Sequence, residues 1–248
     1  MFSTQYQLFR PLTDNEGQIL QRTEGLVVNL GCRDYLESLR IQAAIVEKRK
    51  QAKIPDCLLF VDYEHTITLG RSGKPEHLLA SRRDLEEKHI QFCLTDRGGD
   101  ITYHGPGQLI AYPVLDLKSL RRDIDWYLRR LEQCVMATLA DFGISSRTVP
   151  GATGVWVGDE KIAAIGVRTS QWVTSHGVAL NVNTDLTYFN TIIPCGIQEK
   201  GVTSISKILQ VASTPTPRVK ERFCAHFEEL FERSLCGNPE EGASSLWN

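Results

Sequence analysis

An α+β fold, with mixed and largely antiparallel sheets flanked by helices in a single domain, is the class the sequence predicts. Three observations predict it: short β-rich runs bounded by turn residues, separate segments with three- and four-residue apolar spacing, and no regular alternation of strand with helix along the 248 residues. A chain of this length buries a substantial core in one large domain. Hydrophobic residues at 42% and charged residues at 23% are ordinary for globular proteins, which sets aside disordered, collagenous and fibrous classes. A formal charge of -2 provides no general field for nucleic acid, so bulk charge names no partner.

The elements follow in order. Residues 1–24 show weak periodicity and are expected to form an N-terminal arm, leading into the apolar strand Gly25-Leu26-Val27-Val28-Asn29-Leu30. A helix is expected over 35–50, with Leu36, Leu39, Ala43 and Val46 on the inner face and Glu37, Arg40, Glu47 and Lys48 outside. Strands are expected at 57–63, 66–69 and 91–95, with a short helix at 83–89 before the last of them. Residues 108–115 form a buried strand, and 123–141 an amphipathic helix whose Trp126, Leu131, Val135 and Leu139 face inward and whose Gly143 closes it. Val155-Trp156-Val157, the turn Gly158-Asp159-Glu160, residues 161–169 and residues 172–182 make an antiparallel meander. A loop-rich stretch over 183–204 and a last helix over 218–234 complete the folded domain, 25–236, before a polar tail at 237–248.

No stretch of signal-peptide character opens the chain and none reaches about 18 consecutive apolar residues, so a cytoplasmic location without membrane contact is expected. Seven cysteines form no C-x-x-C pair, which argues against a disulfide framework or a zinc ribbon; most are expected to be reduced and buried.

Three segments carry candidate chemistry. Arg97-Gly98-Gly99-Asp100-Ile101-Thr102-Tyr103-His104-Gly105-Pro106-Gly107-Gln108 packs four glycines and two polar rings into one stretch. It reads either as a loop whose N–H groups contact a bound group, with Tyr103 and His104 adding polar contacts, or as a pair of tight turns. It matches neither a phosphate-binding Walker loop nor a dinucleotide fingerprint. In Lys161-Ile162-Ala163-Ala164-Ile165-Gly166-Val167-Arg168 a lysine enters an otherwise apolar strand. Such a lysine either acts as a base or as the cation that activates a thiol, or is simply a solvated strand end. The third segment runs from His176-Gly177-Val178-Ala179-Leu180-Asn181 to the loop Ile193-Pro194-Cys195-Gly196-Ile197. Cys195, between proline and glycine, is expected in a loop rather than on a helix face as Cys134 and Cys224 are. At an ordinary pKa of about 8.5 it needs a cation or base nearby, for which Lys161, His104 and His176 are candidates.

Taken together, R-G-G-x-x-T-Y-H-G-P-G-Q, K-I-A-A-I-G-V-R, H-G-x-A-L-N-V-x-x-D-L and P-C-G-I resemble the octanoyltransferases, the lipoyl(octanoyl) transferases, in order, spacing and residue type, from about Gly25 to Leu209. The resemblance implies the α+β catalytic domain shared with lipoate and biotin protein ligases. It implies Cys195 as acyl-thioester nucleophile and Lys161 as the group that lowers its pKa. Arg97 to His104 (Arg97, Gly98, Gly99, Asp100, Ile101, Thr102, Tyr103, His104), Ala164 to Gly166 (Ala164, Ile165, Gly166) and Gly177 to Ala179 (Gly177, Val178, Ala179) are the implied acyl-binding segments. The implied donor is octanoyl-acyl carrier protein. The implied acceptors are lipoyl domains of 2-oxoacid dehydrogenases or the glycine cleavage H protein, with no cofactor, no metal and no nucleic acid.

Under this reading a tunnel lined by Ala164, Ile165, Val178 and Ala179 measures the acyl chain. The basic residues Lys118, Arg121, Arg122, Arg129 and Arg130 form either a docking face for acidic partners or an ordinary solvated helix. The competing readings are an ATP-dependent lipoate or biotin protein ligase, a thioester hydrolase with a Cys–His pair, and a binding protein that has kept the pocket without catalysis.

Overall fold

The computed structural model describes residues 23–193 and 201–237. Among them one large sheet dominates. Its strands are β1 (Thr23–Cys32), β2 (Asp56–Asp62), β6 (Gln108–Val114), β7 (Arg147–Val149), β8 (Ala152–Val157), β9 (Glu160–Ser170), β10 (Val173–Asn181) and β11 (Arg233–Cys236), in the order β11-β1-β2-β6-β10-β9-β8-β7. β1 runs parallel to β11 and β2, and the remaining pairs are antiparallel. A smaller sheet, β4-β3-β5, contains β3 (Thr66–Leu69), β4 (Gln91–Leu94) and β5 (Ile101–His104). The fold is the expected mixed, largely antiparallel α+β domain.

Two layers cover the large sheet. Side chains alternate along each strand, so Leu58 and Phe60 of β2 join one core while Leu59 and Val61 join the other. The first core holds α3 (Ile124–Ala140) and α5 (Thr216–Phe231); the second holds α1 (Tyr35–Lys50). The short helix α4 (Ile205–Leu209) adds Ile205 to the first core, whereas α2 (Arg82–Glu87) buries none of its residues.

Several expectations need correction. α1 is present over 35–50, capped by the Asp34 carboxylate accepting from Glu37 N, but its buried residues are Tyr35, Ser38, Ile41, Gln42, Ile45 and Val46, while Leu36 is exposed. Hydrogen bonds account for the difference: Ser38 Oγ donates to Tyr35 O, and Gln42 Oε1 accepts from His176 N, so two polar residues are held on the buried face and disguise the inner stripe. The stretch 101–104 is the fully buried strand β5, not loop. The last helix stops at Phe231 because Glu232 turns left-handed (φ +54°), and the chain continues as β11 beside β1. α3 is capped by Asp123 as expected, but Trp126 is only partly buried. Three of its five basic neighbours are ion-paired: Arg121 with Asp123 at 3.0 Å, Lys118 with Asp116 at 3.6 Å, and Arg129 with the buried Glu132. Cys57, Cys93 and Cys134 are buried as expected, whereas Cys32 and Cys236 are exposed. Among the described residues no helix is long and apolar enough to cross a membrane.

A buried ionic knot holds β11 in place. Asp56 at the start of β2 accepts from Arg233 Nε and Arg49 Nε, both at 2.7 Å, and from Asp116 N at 2.9 Å. Arg233 and Asp56 are almost wholly buried, so each charge depends on the other. Replacing Asp56 by Ala strands the Arg233 cation in the interior and is expected to cost ~3–5 kcal/mol in urea unfolding. A loss below ~1 kcal/mol, the value of a surface pair, would show that this knot does not hold the strand.

Candidate active site

The site is built on the β9–β10 hairpin. Its antiparallel register sets Ala164 opposite Ala179 and Gly166 opposite Gly177, so four of the smallest side chains share one face. The intervening pair, Ile165 and Val178, sends its side chains into the core beneath α3 and α5. These two therefore border the site without forming the tunnel wall expected of them. The glycines matter for close approach. A Cβ on Gly166 would stand 2.7 Å from Gly98 O, and one on Gly177 would stand 2.3 Å from Ala111 O. With only hydrogen there, the 97–99 loop settles on β9, where Gly98 N donates to Val167 O at 2.9 Å.

Between this floor and β5 lies a narrow cleft. Of the residues expected in the site, Arg97, Gly99, Asp100, Ile101, Thr102, His104, Lys161, Ala164, Ile165, Gly166, Gly177, Val178 and Ala179 line it. Gly98 does not; it is the residue that pins the loop to β9. Tyr103 does not either: it alternates away into the core of the small sheet, stacked on Tyr188 with ring centres 5.1 Å apart and bonded through its hydroxyl to His65 Nδ1 at 2.7 Å. Cys195 falls outside the described residues. Tyr112, Thr153 and His176 complete the lining.

Lys161 stands at one end, 8% exposed, its Nζ donating to Thr153 O at 3.2 Å and lying 4.9 Å from the centre of the Trp156 ring. Its backbone is clamped from outside the hairpin: Lys161 N donates to Gly201 O at 2.9 Å, and Lys161 O accepts from Thr203 N at 3.0 Å. A second, small recess shares Thr102, Lys161, Ala164 and Ala179 with the cleft and is bordered by Phe189 and Val202.

A line of hydrogen bonds runs beneath the cleft and joins the motifs. Arg97 Nη2 donates to Thr68 Oγ1 at 2.8 Å, and Thr68 Oγ1 meets His104 Nε2 at 3.3 Å. His104 Nδ1 meets Gln108 Oε1 at 2.9 Å, Gln108 Nε2 donates to Asn181 Oδ1 at 2.9 Å, and Asn181 Nδ2 donates to Thr203 O at 3.0 Å. Thr203 N closes the line on Lys161 O. One proton arrangement satisfies it: the amide oxygen of Gln108 can only accept, so His104 carries its proton on Nδ1 and accepts at Nε2 from the Thr68 hydroxyl. Burial, reinforced by the Arg97 cation, pushes the His104 pKa down to about 3, so the ring is neutral. Both ring nitrogens are engaged, Nδ1 with Gln108 and Nε2 with Thr68, which fixes the ring among its neighbours. Burial also lowers the His176 pKa against the pull of Asp96, and holds the Tyr112 phenol far above its ordinary value.

Gln108 and Asn181 sit inside segments that the sequence already marked by their unusual composition. Thr68 and Thr203 carry no such signal, because a threonine in a β-rich run or a loop is commonplace.

The neutral His104 makes a signed prediction. Its folded-state pKa is depressed, so its contribution to stability is complete above the ordinary histidine value of 6.5 and is lost as pH falls towards about 3. Within that window unfolding free energy should fall by about 1.4 kcal/mol per pH unit on account of this group. Denaturant unfolding between pH 7 and 4 is expected to show a shallower pH slope for His104→Gln than for the wild-type chain. Equal slopes would mean that the ring is not held neutral.

Residues 34–228 match the family described as Lipoyl protein ligase A/B catalytic domain. An octanoyltransferase of Solibacter usitatus is 52% identical over 203 residues, covering 82% of this chain and 91% of that protein. An octanoyltransferase of Christiangramia forsetii is 47% identical over 225 residues, covering 84% and 96%. Among solved structures, a bipartite lipoate protein ligase of Thermoplasma acidophilum superposes with a TM-score of 0.70 at 17% identity, covering 90% of this chain and 89% of that one. A lipoate-protein ligase A bound with ATP gives a TM-score of 0.69 at 17% identity, covering 91% and 90%. These two likenesses show the fold. The sequence matches show the family: the chain belongs to the Lipoyl protein ligase A/B catalytic domain family and, within it, to the octanoyltransferases.

Proposed function

We propose that this chain, through a catalytic domain spanning 25–236, moves an octanoyl group from octanoyl-acyl carrier protein to a lysine of a lipoyl domain by way of a thioester on Cys195, a step of protein lipoylation. The acceptors are lipoyl domains, those of 2-oxoacid dehydrogenases or the glycine cleavage H protein, and the expected location is the cytoplasm. The observation that carries the reading is the placement of Lys161 at one end of a cleft floored by Ala164, Gly166, Gly177 and Ala179. A straight alkyl chain needs such a floor, with no side chains to obstruct it. At about 0.8 kcal/mol per buried CH₂, six methylenes supply roughly 5 kcal/mol for choosing a medium chain over a short one.

Support for Cys195 comes from its surroundings in the chain. It lies two positions after Ile193, whose N–H donates to His77 O at 2.8 Å, and six before Gly201, which bonds the Lys161 backbone. Covalent geometry limits a six-residue span to about 20 Å. Phe189 and Val202, on either side of this stretch, both border the recess at Lys161. Burial makes poor nucleophiles of five described thiols, pushing Cys57 and Cys224 up to about 12 and raising Cys93, Cys134 and Cys32.

The chemistry then balances without ATP. Cys195 sulfur, its proton passed to Lys161, attacks the octanoyl carbonyl; a C–S bond to the enzyme forms as the C–S bond to pantetheine breaks, and the carrier leaves as the thiol after taking that proton back from Lys161. A lipoyl-domain lysine attacks the enzyme thioester, the amide C–N bond forms, and the Cys195 sulfur departs while Lys161 receives the amine proton. Backbone N–H groups at the glycine-rich 97–99 loop are the candidates to stabilise the oxyanion.

Incubating the protein with octanoyl-acyl carrier protein and no ATP is expected to add one octanoyl mass, absent in Cys195→Ala and discharged on addition of a lipoyl domain. An adduct that survives Cys195→Ala, or strict dependence on ATP, overturns the assignment. Lys161→Arg keeps a cation but does not readily give up its proton; acylation is expected to slow by ~10²-fold or more, and a wild-type rate would exclude Lys161 from proton transfer.

A further inference from the structure

We propose that His176 is the end wall of the acyl cleft, a specificity-determining residue that sets how long a chain the cleft admits; this rests on the octanoyl-transfer reading above. The hairpin orders the cleft. Along β9 come Lys161, then Ala164, then Gly166, with Ala179 and Gly177 opposite the last two, and His176 follows opposite Val167. Five residues separate Lys161 from Gly166, roughly 16 Å of strand. The lysine side chain and a medium-length acyl chain divide that distance, which brings the chain's last carbons to Gly166, Gly177 and the ring beyond them.

The sequence forces His176 inward. The β10–β6 ladder pairs Val178 with Ala111, so two residues earlier β10 faces Pro113, which has no N–H to offer. Freed from the ladder, His176 adopts a left-handed backbone (φ +55°), and its N–H is taken up by Gln42 Oε1 of α1 at 2.8 Å. Its ring is only 2% exposed and is held on two further sides. Nε2 bonds Asp96 Oδ1 at 2.8 Å, with Arg168 on the other carboxylate oxygen at 2.6 Å, and Tyr112 stands edge-on with ring centres 6.0 Å apart. A ring fixed from the backbone, from Asp96 and from Tyr112 does not swing aside to admit a longer chain.

Behind the ring is space. An open groove, bordered by Leu39, Ala43 and Val46 of α1 and Leu94 and rimmed by charged side chains including Arg40, Glu47, Lys50 and Arg168, also has His176 in its lining, so the same residue borders both cavities. Removal of the imidazole joins the cleft to this groove, where additional methylenes can lie along Leu39, Ala43 and Val46 with the charged rim left to water.

The test offers the wild-type protein and variants an equimolar mixture of octanoyl-, decanoyl- and dodecanoyl-acyl carrier protein and reads the acyl-enzyme masses. His176→Gly suits the left-handed backbone and removes the ring. Each additional buried methylene is worth about fourfold in preference, so the dodecanoyl-to-octanoyl ratio is expected to rise by about tenfold or more. Asp96→Ala, a substitution at a half-exposed side chain that keeps the ring but removes one of its three fastenings and so lets it swing, is expected to shift the ratio the same way by a smaller factor, and it decides the matter if the glycine variant fails to fold. A folded variant whose acyl-length profile equals that of the wild type overturns the wall. A wild-type protein that takes no acyl group overturns the transfer reading itself.

Discussion

The site depends on the register of one hairpin. Because β9 and β10 pair Ala164 with Ala179 and Gly166 with Gly177, a strip of sheet has almost no side chains on one face, while the alternate residues Ile165 and Val178 remain in the α3–α5 core. A shift by one residue would exchange the two faces, filling the cleft with branched side chains and emptying the core. The same absence of Cβ atoms lets the 97–99 loop sit directly on β9, so floor and roof are fixed by one register.

Polar residues then tie this shape to Lys161. The bonds from Arg97 through Thr68, His104, Gln108, Asn181 and Thr203 are buried, and each donor in the line has an acceptor. In a low-dielectric interior an unpaired member would be costly, so the line acts as a ruler between the glycine-rich loop and the lysine. A neutral His104 suits it: an imidazolium beside the Arg97 guanidinium would set like charges together and lose its acceptor role towards Thr68. The Asp56–Arg233–Arg49 knot plays a comparable part at the far edge of the sheet, where it secures β11 to β1 and β2.

Much of this was legible in the residues. The meander 155–182 followed from its β-rich runs and Gly158-Asp159 turn, and α3 from its apolar spacing and Asp123 cap. The described parts of the motif segments converge on one cleft, with thirteen of their expected site residues lining it. Illegible features depended on partners distant in sequence. β5 was hidden by the glycines around it, yet pairs with β3 some thirty residues earlier. The inner face of α1 was misread because Ser38 and Gln42 are buried only through Tyr35 and His176. Tyr103 was placed with His104 by proximity, although adjacent residues of a strand point to opposite faces. His176 turns inward because Pro113 lies across the ladder from it, a relation that exists only once β6 and β10 are paired.

A crystal structure of the protein trapped with an octanoyl group bears most directly on the whole assembly. The acyl chain is expected along the Ala164–Ala179 and Gly166–Gly177 pairs, its terminal methyl against the His176 ring and its thioester carbonyl beside Lys161. A chain lying in the groove between α1 and Leu94, or a thioester remote from Lys161, would contradict it.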